Sequence, residues 1–429
     1  MRTDSCHRSR SGIISEGSTT LCMLALILST GLARSQSRTT DYVIASRAIA
    51  ANTALNFKLP NGLLLTGKIT DAAGGALEGA LVQALDGNSD LGPSTVTDAS
   101  GTFVIAVRSG TYDLLIKPPA GDTVDPRSYP RSVDGGVDDL QVSKDTSAGT
   151  VALQDGYILS GSVQPPSGKL HALAGLVLGI PPDRVLLGVI QAHRGTGNDF
   201  SKYAMAVPAG KHKLFFTGGQ ALSNESQIMQ AGSFASVPAT VTKDTVKNIK
   251  LPVGYRLTGH VRDAQGRALS GILFAKKVGT TTVKDAQSTA CIVMNGAYAS
   301  CLPAGQYDLT FIPLMSTAYG GLAAQTLQTV TMSAADRTYD VTAADGLVVS
   351  GKVADAANKA LGGATITFRL VAAEARAASL ALVAQTDAKG KYRICVPAGT
   401  YRIRASPPGV LSTIIGTQLM MNPTLEQPR

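Results

Sequence analysis

The chain contains no tryptophan, and only 5% of its 429 residues are aromatic and 16% charged. An average soluble protein has roughly 25% charged residues. A core with so few large rings must be built mostly from small aliphatic side chains. The 45 glycines and the 44% hydrophobic residues are typical of an all-β protein with many turns. At roughly 100–150 residues per domain, the length allows several domains.

Motifs for catalysis and metal binding are also missing. No histidine stands in the H-E-x-x-H spacing of zinc peptidases, and no G-x-S-x-G nucleophile elbow occurs. The stretch "DGNSDLG" (86–92) alternates oxygen-bearing side chains but lacks the distal glutamate of a calcium loop, which favours a polar loop. The sequence therefore predicts no enzyme, no catalytic residue, no cofactor and no metal site.

Runs of basic residues are missing as well. The formal net charge is +9, but the lysines and arginines are scattered along the chain. Nucleic-acid-binding domains concentrate basic residues on one face or along one element. We therefore interpret the positive balance as a solvated surface and predict no nucleic-acid partner.

No apolar run reaches the ~20 residues that a membrane-spanning helix needs. The run "LCMLALIL" (21–28) follows two arginines and precedes small residues at Ala33 and Ser35. This order is typical of a secretory signal peptide at residues 1–35. Cleavage before Arg34 and an uncleaved amphipathic leader are the alternatives. The prediction is a secreted, periplasmic or cell-surface protein with no transmembrane span in the mature chain.

Cysteine is scarce, and removal of the leader would leave only Cys291, Cys301 and Cys395. The first two flank "CIVMNGAYASC", in which Asn-Gly predicts a tight turn between two strands. In such a hairpin both side chains lie on one face, either opposite or diagonal to each other. A disulfide between Cys291 and Cys301 fits the opposite arrangement, whereas two thiols fit the diagonal one.

What the chain does contain is a fourfold internal repeat. The stretches "LLLTGKI", "YILSGSV", "YRLTGHV" and "LVVSGKV" share an apolar-x-Gly pattern, which we call the L-x-G strand. A second landmark, the phrase "VPAGTY" and its variants, recurs at a similar spacing. Two landmarks with one period indicate a tandem array of units that are each large enough to hold a core. The L-x-G glycines are Gly67, Gly161, Gly259 and Gly351.

Within each unit apolar and polar residues alternate, as in "ATITFRL" (364–370), which predicts half-buried strands. Turns such as "TDAKG" (386–390) separate them, because Asp can accept a backbone N–H two residues on and Gly tolerates positive φ. The fold class predicted is all-β, a tandem array of four antiparallel β-sandwich domains after the signal segment. We take the strand-then-Gly segment before each L-x-G strand as the start of a unit. The predicted repeats are 41–136, a divergent 137–235, 236–324 and 325–429.

The phrase "VPAGTY" (396–401) predicts a strand–turn–strand corner in each unit. Proline suits the first turn position, glycine closes the turn, and the tyrosine packs its ring while its hydroxyl bonds to nearby backbone, as in a tyrosine corner. Unit 1 has Arg108 in place of the proline, and unit 2 has His212 in place of the tyrosine. The predicted corner residues are Gly110 and Tyr112, then Pro208 and Gly210, then Pro303, Gly305 and Tyr307, and finally Pro397, Gly399 and Tyr401.

The stretch "SGKVADAANKALGGATITF", followed by "TDAKGKYRICVPAGTYRIRA", resembles the carboxypeptidase regulatory-like domain. The resemblance extends over all four units and is weakest in unit 2, where residues 165–205 lack the Asp-x-x-Gly turn. It implies a transthyretin-like or carbohydrate-binding-like β-sandwich fold. It also implies an exported accessory domain that carries out no catalysis.

Two hypotheses for function follow. The first is an exported, non-catalytic multi-domain protein that serves as a structural spacer or protein-interaction module of the cell envelope or surface, with short linkers that predict a semi-rigid rod. The alternative is carbohydrate binding through Tyr129 and Tyr319, two loop aromatics outside the repeated positions. The sequence does not distinguish an envelope or surface protein from a polysaccharide as the partner.

Overall fold

The computed structural model describes residues 38–86, 92–119, 130–164, 173–180, 190–191, 193–194, 200–220, 234–279, 288–313, 327–371 and 382–408. Within these ranges every regular secondary-structure element is a β-strand, which confirms the predicted all-β class. Among these residues no helix has the length and apolarity needed to cross a bilayer.

Strands follow one another through the whole described part of the chain. Before the first L-x-G strand lie β1 (Tyr42–Ile49), β2 (Thr53–Ala54) and β3 (Phe57–Lys58). The next set is β4 (Leu63–Thr70), β5 (Leu81–Leu85), β6 (Ser94–Val96), β7 (Thr102–Val107), β8 (Gly110–Lys117), β9 (Gly135–Val142) and β10 (Thr146–Ala152). It is followed by β11 (Tyr157–Gln164), β12 (Leu173–Ile180), β13 (Ile190–Gln191), β14 (His193–Arg194), β15 (Phe200–Val207), β16 (Gly210–Gln220), β17 (Phe234–Val241), β18 (Thr245–Val246) and β19 (Ile249–Lys250).

The second half of the chain repeats this order. Its first set is β20 (Tyr255–Arg262), β21 (Gly271–Lys277), β22 (Ser288–Val293), β23 (Ala297–Leu302), β24 (Gly305–Pro313), β25 (Leu327–Met332), β26 (Arg337–Thr338) and β27 (Val341–Thr342). The last set is β28 (Leu347–Ala354), β29 (Thr365–Leu370), β30 (Leu382–Gln385), β31 (Lys391–Val396) and β32 (Gly399–Ser406).

In the described residues these strands form eight sheets, which pack in pairs around four hydrophobic clusters. We call the pairs the first, second, third and last sandwich, after their L-x-G strands β4, β11, β20 and β28. One sheet of each sandwich contains the L-x-G strand, as in the order β10-β4-β7. The other contains the strand after the corner, as in β6-β5-β8-β9.

Two-residue alternation places each core, as strand β7 illustrates. Phe103, Ile105 and Val107 are buried, whereas Val104 and Ala106 between them are partly exposed. The corner then carries the chain from one sheet to the other, because β7 pairs with β4 while β8 pairs with β5 and β9. The corner phrase is therefore an inter-sheet crossing made through two residues.

The aspartates of the predicted turns act as expected. Asp387 Oδ1 accepts hydrogen bonds from the N–H groups of Lys389 at 2.9 Å and Lys391 at 2.8 Å. Asp71, Asp98, Asp263 and Asp355 make the same pair of bonds to the residues two and four positions on.

The segment before each L-x-G strand pairs differently from our expectation. We took it as the start of a unit, but β10 lies parallel to β4, β18 and β19 lie parallel to β11, and β26 and β27 lie parallel to β20. Each of these segments therefore completes the sandwich that comes before it. A repeating sequence has the same period whichever way the unit is cut, so the period could not locate this boundary.

The earliest copy of this segment has no sandwich before it and pairs with the last one. Strands β2 and β3 lie parallel to β28, and β1 lies antiparallel to β32. The bond from Val348 N to Asn52 Oδ1 joins residues 296 positions apart. The first and last sandwiches are thus linked through this segment, so the array closes on itself, unlike the semi-rigid rod that the short linkers suggested.

The disulfide considered between Cys291 and Cys301 is absent. Cys291 lies on β22, which pairs with β21, whereas Cys301 lies on β23, which pairs with β20 in the other sheet. Cys291 packs against the core of the third sandwich, while Cys301 is not part of that cluster. The Asn-Gly turn between the strands is present, with positive φ at both residues. It leads from one sheet to the other, so the two cysteines do not share a face.

Candidate interaction site at the closing junction

The best-defined functional feature is the junction where residues 38–60 fill the last sandwich. We call these residues the N-terminal donor segment, and residues 130–153, 234–251 and 327–343 the inner donor segments. Each has a strand at the edge of one sheet and a short parallel stretch in the other. In the closing junction Thr53 and Ala54 pair with Val349 and Ser350, and pairing resumes at Phe57.

The break in pairing brings a donor carbonyl over the L-x-G glycine. A Cβ on Gly351 would lie 1.9 Å from the Leu55 carbonyl oxygen. The same clash, at 1.9 Å, would occur between Gly259 and the Tyr339 oxygen. This close approach explains why glycine is needed here, since any side chain would push the donor segment away.

A tyrosine hydroxyl donates to that same carbonyl. Tyr392 Oη lies 2.7 Å from the Leu55 oxygen, and Tyr298 Oη lies 2.5 Å from the Tyr339 oxygen. Tyr203 makes the corresponding bond to Lys247 O. Burial raises the pKa of Tyr203, Tyr298 and Tyr392, so the phenols remain protonated donors. Each of these hydroxyls therefore bonds a sandwich to its donor segment.

Side-chain oxygens of the donor segment bind the amides that flank the glycine. Asn52 Oδ1 accepts from Val348 N at 2.8 Å, and Asn56 Oδ1 accepts from Lys352 N at 2.9 Å. At the inner junctions carboxylates take the Asn52 position. Asp145, Asp244 and Asp336 accept from Leu64 N, Ile158 N and Arg256 N at 3.0, 3.0 and 2.8 Å.

Apolar side chains of the donor segment also stabilise the closing junction. Ile49, Phe57 and Leu59 of the donor segment are at most 3% exposed, and all three belong to the core cluster of the last sandwich. Fully burying one such side chain contributes about 1.5–3 kcal/mol, which gives roughly 5–9 kcal/mol for the three as an upper figure. The donor segment is therefore an integral part of the last sandwich.

A group of charged residues ties the donor segment to both sandwiches. The carboxylate of Asp41, 3% exposed, pairs with Arg404 of the last sandwich, which is 9% exposed. Arg108 of the first sandwich lies 3.9 Å from Asp41 Oδ1 and 3.9 Å from Asp86 Oδ2. Arg108 stands where other corners have proline, so this departure in unit 1 supplies a cation to the closing junction.

Hydrogen bonds also join the start of the donor segment to its own end, to the first sandwich and to the link before β4. Thr40 N donates to Pro60 O at 3.0 Å, and Thr40 Oγ1 donates to Ala106 O at 3.1 Å. Gly62 N donates to Arg38 O at 2.6 Å. The inner donor segment 130–153 has a matching bond, in which Gly156 N donates to Arg131 O at 2.8 Å.

The predicted corner residues lie at the inter-sheet crossings. The hydroxyls of Tyr112, Tyr307 and Tyr401 donate to the carbonyl oxygen four residues earlier, at 3.0, 2.9 and 2.8 Å. His212 Nε2 lies 2.7 Å from Pro208 O, and it must be the donor because a carbonyl only accepts. Gly210 and Gly305 have positive φ angles of 141° and 151°, whereas Gly110 and Gly399 do not have positive φ. Pro303 and Pro397 supply the carbonyls for Tyr307 and Tyr401.

The residues predicted for carbohydrate contact lie outside the part of the chain that the structure describes. Tyr129 and Tyr319 lie outside the described residues, as do Asn88 and Asp90 of the polar loop. Within the described ranges no group of three or more His, Cys, Asp or Glu could hold a metal ion.

Sequence reasoning missed the donor role of residues 52–59, although a signal was present. "NTALNFKL" (52–59) and "DTVKNIKL" (244–251) match at five of their eight positions when Asn and Asp are counted as equivalent. Four such segments precede four L-x-G strands. If each segment completes the sandwich before it, the first must pair with the last.

Comparison with known proteins gives a match to one family model and a likeness to several solved structures at low sequence identity. No curated protein matches the chain. Among solved structures, a streptococcal ancillary pilin is 11% identical over 66% of this chain and 98% of its own, with a TM-score of 0.16. The major pilin subunit BcpA of Bacillus cereus is 13% identical over 66% and 99%, with a TM-score of 0.17. The Bacillus anthracis TIE protein is 13% identical over 87% and 70%, with a TM-score of 0.18.

The family model matches two stretches of the chain, each of which begins in an L-x-G strand. The family model of the carboxypeptidase regulatory-like domain matches residues 65–143 and 348–426. The first match begins in the L-x-G strand β4 and reaches the residue after β9. The second begins in β28. The two matched stretches lie in the first and last of the four units for which the sequence motifs predicted this domain.

Proposed function

We propose that the chain is an exported, non-catalytic structural protein of the cell envelope or surface, and that it acts as a protein-interaction module rather than as an extended spacer. The observation that carries this proposal is the closing junction. A spacer gains reach when its ends are far apart, whereas here the first and last sandwiches are joined by strands β1, β2 and β3.

The use of the repeated polar residues supports a non-catalytic role. The tyrosines, aspartates and His212 that recur at fixed positions bond to backbone groups inside the fold. Groups committed in this way maintain the sandwiches and are not presented to a substrate. The carboxypeptidase regulatory-like domains at 65–143 and 348–426 fit the same role as accessory domains.

Small-angle X-ray scattering tests the closed arrangement. A compact chain of this size has a radius of gyration of roughly 21 Å, and a ring of four domains is expected at about 25 Å. Four domains of ~12 Å radius of gyration in an open row at ~30 Å spacing would give roughly 35 Å. A value near 35 Å at low concentration would favour the spacer.

Location and partners need a separate test. Fractionation of the producing cell should recover the protein from the envelope or the medium, and chemical crosslinking there should capture defined partner proteins. Recovery in the cytosol with its leader intact would contradict export. A specific turnover by the pure protein would contradict a non-catalytic role.

Carbohydrate binding remains the alternative prediction. It would be supported by retention of the protein on a polysaccharide matrix and loss of that retention in Tyr129→Ala or Tyr319→Ala. Unchanged retention in both variants would exclude these tyrosines as the contact.

A further inference from the structure

We propose that the last sandwich also accepts the N-terminal donor segment of a second copy of this chain, so that copies join head to tail by strand exchange. This inference goes beyond the function proposed above and does not depend on export or on any other partner. It follows from how the closing junction is built and from its likeness to the inner junctions.

The last sandwich recognises the donor segment through contacts that a second chain could also provide. The amides of Val348 and Lys352 bind Asn52 and Asn56, and the Tyr392 hydroxyl binds Leu55 O. These bonds join the donor segment directly to the last sandwich and do not use the part of the chain that connects the two. The groove of the last sandwich therefore selects residues 38–60 by sequence and shape, whichever chain carries them.

A link of the same length joins each donor segment to the sandwich that follows it in the chain. Four residues separate β3 from β4, β10 from β11, β19 from β20, and β27 from β28. In the N-terminal copy, Gly62 N in this link donates to Arg38 O, and Thr40 Oγ1 donates to Ala106 O of the first sandwich. The donor segment and the first sandwich can thus dock together on the last sandwich of another copy, as neighbouring sandwiches do within one chain.

The same joint can close within a chain or continue into the next one. A heterologous contact closes a ring when its geometry returns to the start, and otherwise it links copies in a row. Within one chain the donor segment and its groove are covalently connected, so binding is intramolecular and closure should dominate in dilute solution. Exchange should increase with protein concentration or after the junction has been opened.

Two full-length variants test the proposal by complementation. The donor-blocked variant carries Leu55→Pro and Phe57→Asp, which remove the Leu55 N–H that donates to Ser350 O and place a charge in the core. The acceptor-blocked variant carries Gly351→Val, whose side chain would collide with the Leu55 carbonyl. Each variant alone should elute as a monomer, and an equimolar mixture should give a 1:1 complex by size-exclusion chromatography with light scattering.

A third chain with all three substitutions is the matched control. Mixed with the donor-blocked variant, it should show no complex, which corresponds to at least a 100-fold weaker association. A synthetic peptide of residues 38–60 provides a second measurement that does not depend on the folding of the Gly351→Val chain. It should bind the donor-blocked chain with 1:1 stoichiometry, and its Leu55→Pro version should not. Absence of peptide binding to a folded donor-blocked chain would overturn the proposal, as would equal binding of both peptides.

Discussion

The closing junction and the three inner junctions share one hydrogen-bond plan but differ in connection and charge. At every inner junction the donor segment follows the sandwich it completes, whereas at the closing junction it precedes that sandwich by most of the chain. The closing junction binds the L-x-G amide with neutral Asn52, and the inner junctions use Asp145, Asp244 and Asp336.

This difference shows that the groove requires a hydrogen-bond acceptor at one position and does not require that the acceptor be charged. An amide oxygen and a carboxylate oxygen occupy the same place at 2.8–3.0 Å from the backbone nitrogen. The carboxylates at two inner junctions also pair with arginines, Asp145 with Arg38 and Asp244 with Arg131. Strand pairing is therefore common to all junctions, and the ion pairs are added at individual ones.

The largest effect is expected from removing the donor ring at the closing junction. Phe57→Ala should lower the free energy of local opening of the last sandwich by about 3–5 kcal/mol, because a buried ring is replaced by a cavity. Amide hydrogen exchange at β28 and β32 measures this opening. Ile249→Ala is the inner counterpart, expected to cost about 2–5 kcal/mol at β11. Equal loss at β11 and β28 in the Phe57→Ala chain would show that the two junctions are not independent.

A slightly smaller effect is expected from adding one methyl group beneath the donor carbonyl. Gly351→Ala and Gly259→Ala should each destabilise their junction by about 1–3 kcal/mol through overpacking, and by more if the backbone cannot shift. Only Gly351→Ala should raise the radius of gyration, because only that junction closes the array. In Gly110→Ala the added carbon meets its neighbours at 3.6 Å or more, so this control should change neither measurement.

A single hydroxyl should have a moderate effect. Tyr392→Phe leaves the Leu55 carbonyl without its phenol donor and should weaken the closing junction by about 1 kcal/mol. Tyr298→Phe should do the same at the third sandwich. The first sandwich already has Phe103 at this position. Differential protection of β28 and β20 amides separates the two variants, and no change in either would show that the hydroxyl bond contributes no net stability.

The smallest effect is expected from acid. Hydrogen bonding to Arg131 and to Ile158 N lowers the pKa of Asp244 from 3.8 to about 2. A lowered pKa stabilises the folded state above the ordinary value, and this stabilisation is lost as the pH falls from about 4 to about 2. Protection of the Ile158 amide should therefore decline over this range, while that of Val348, held by Asn52, should not decline in the same way. In Asp244→Asn the decline at Ile158 should be reduced; if it is unchanged, Asp244 does not cause it.

Periodicity predicted the all-β class and the corners, since both depend on residues near each other in the chain. The alternation of Phe103, Ile105 and Val107 and the bond from Tyr401 to Pro397 are local in this sense. The partner of the donor segment is not local, because a strand can complete either neighbouring sandwich with the same hydrogen bonds. The failed disulfide has a similar cause, since an Asn-Gly turn gives the bend but not the sheet that each strand joins.

The order of synthesis gives the closing junction a further consequence. Residues 38–60 are made before residues 347–406, so the first segment to be translated must wait for the last sandwich. At about 5–20 residues per second this delay is roughly 15–60 s. During that time strands β1–β3 present unpaired edges, which are the segments most prone to pair with other chains. The closed array therefore depends on keeping its earliest strands unpaired until its final groove exists.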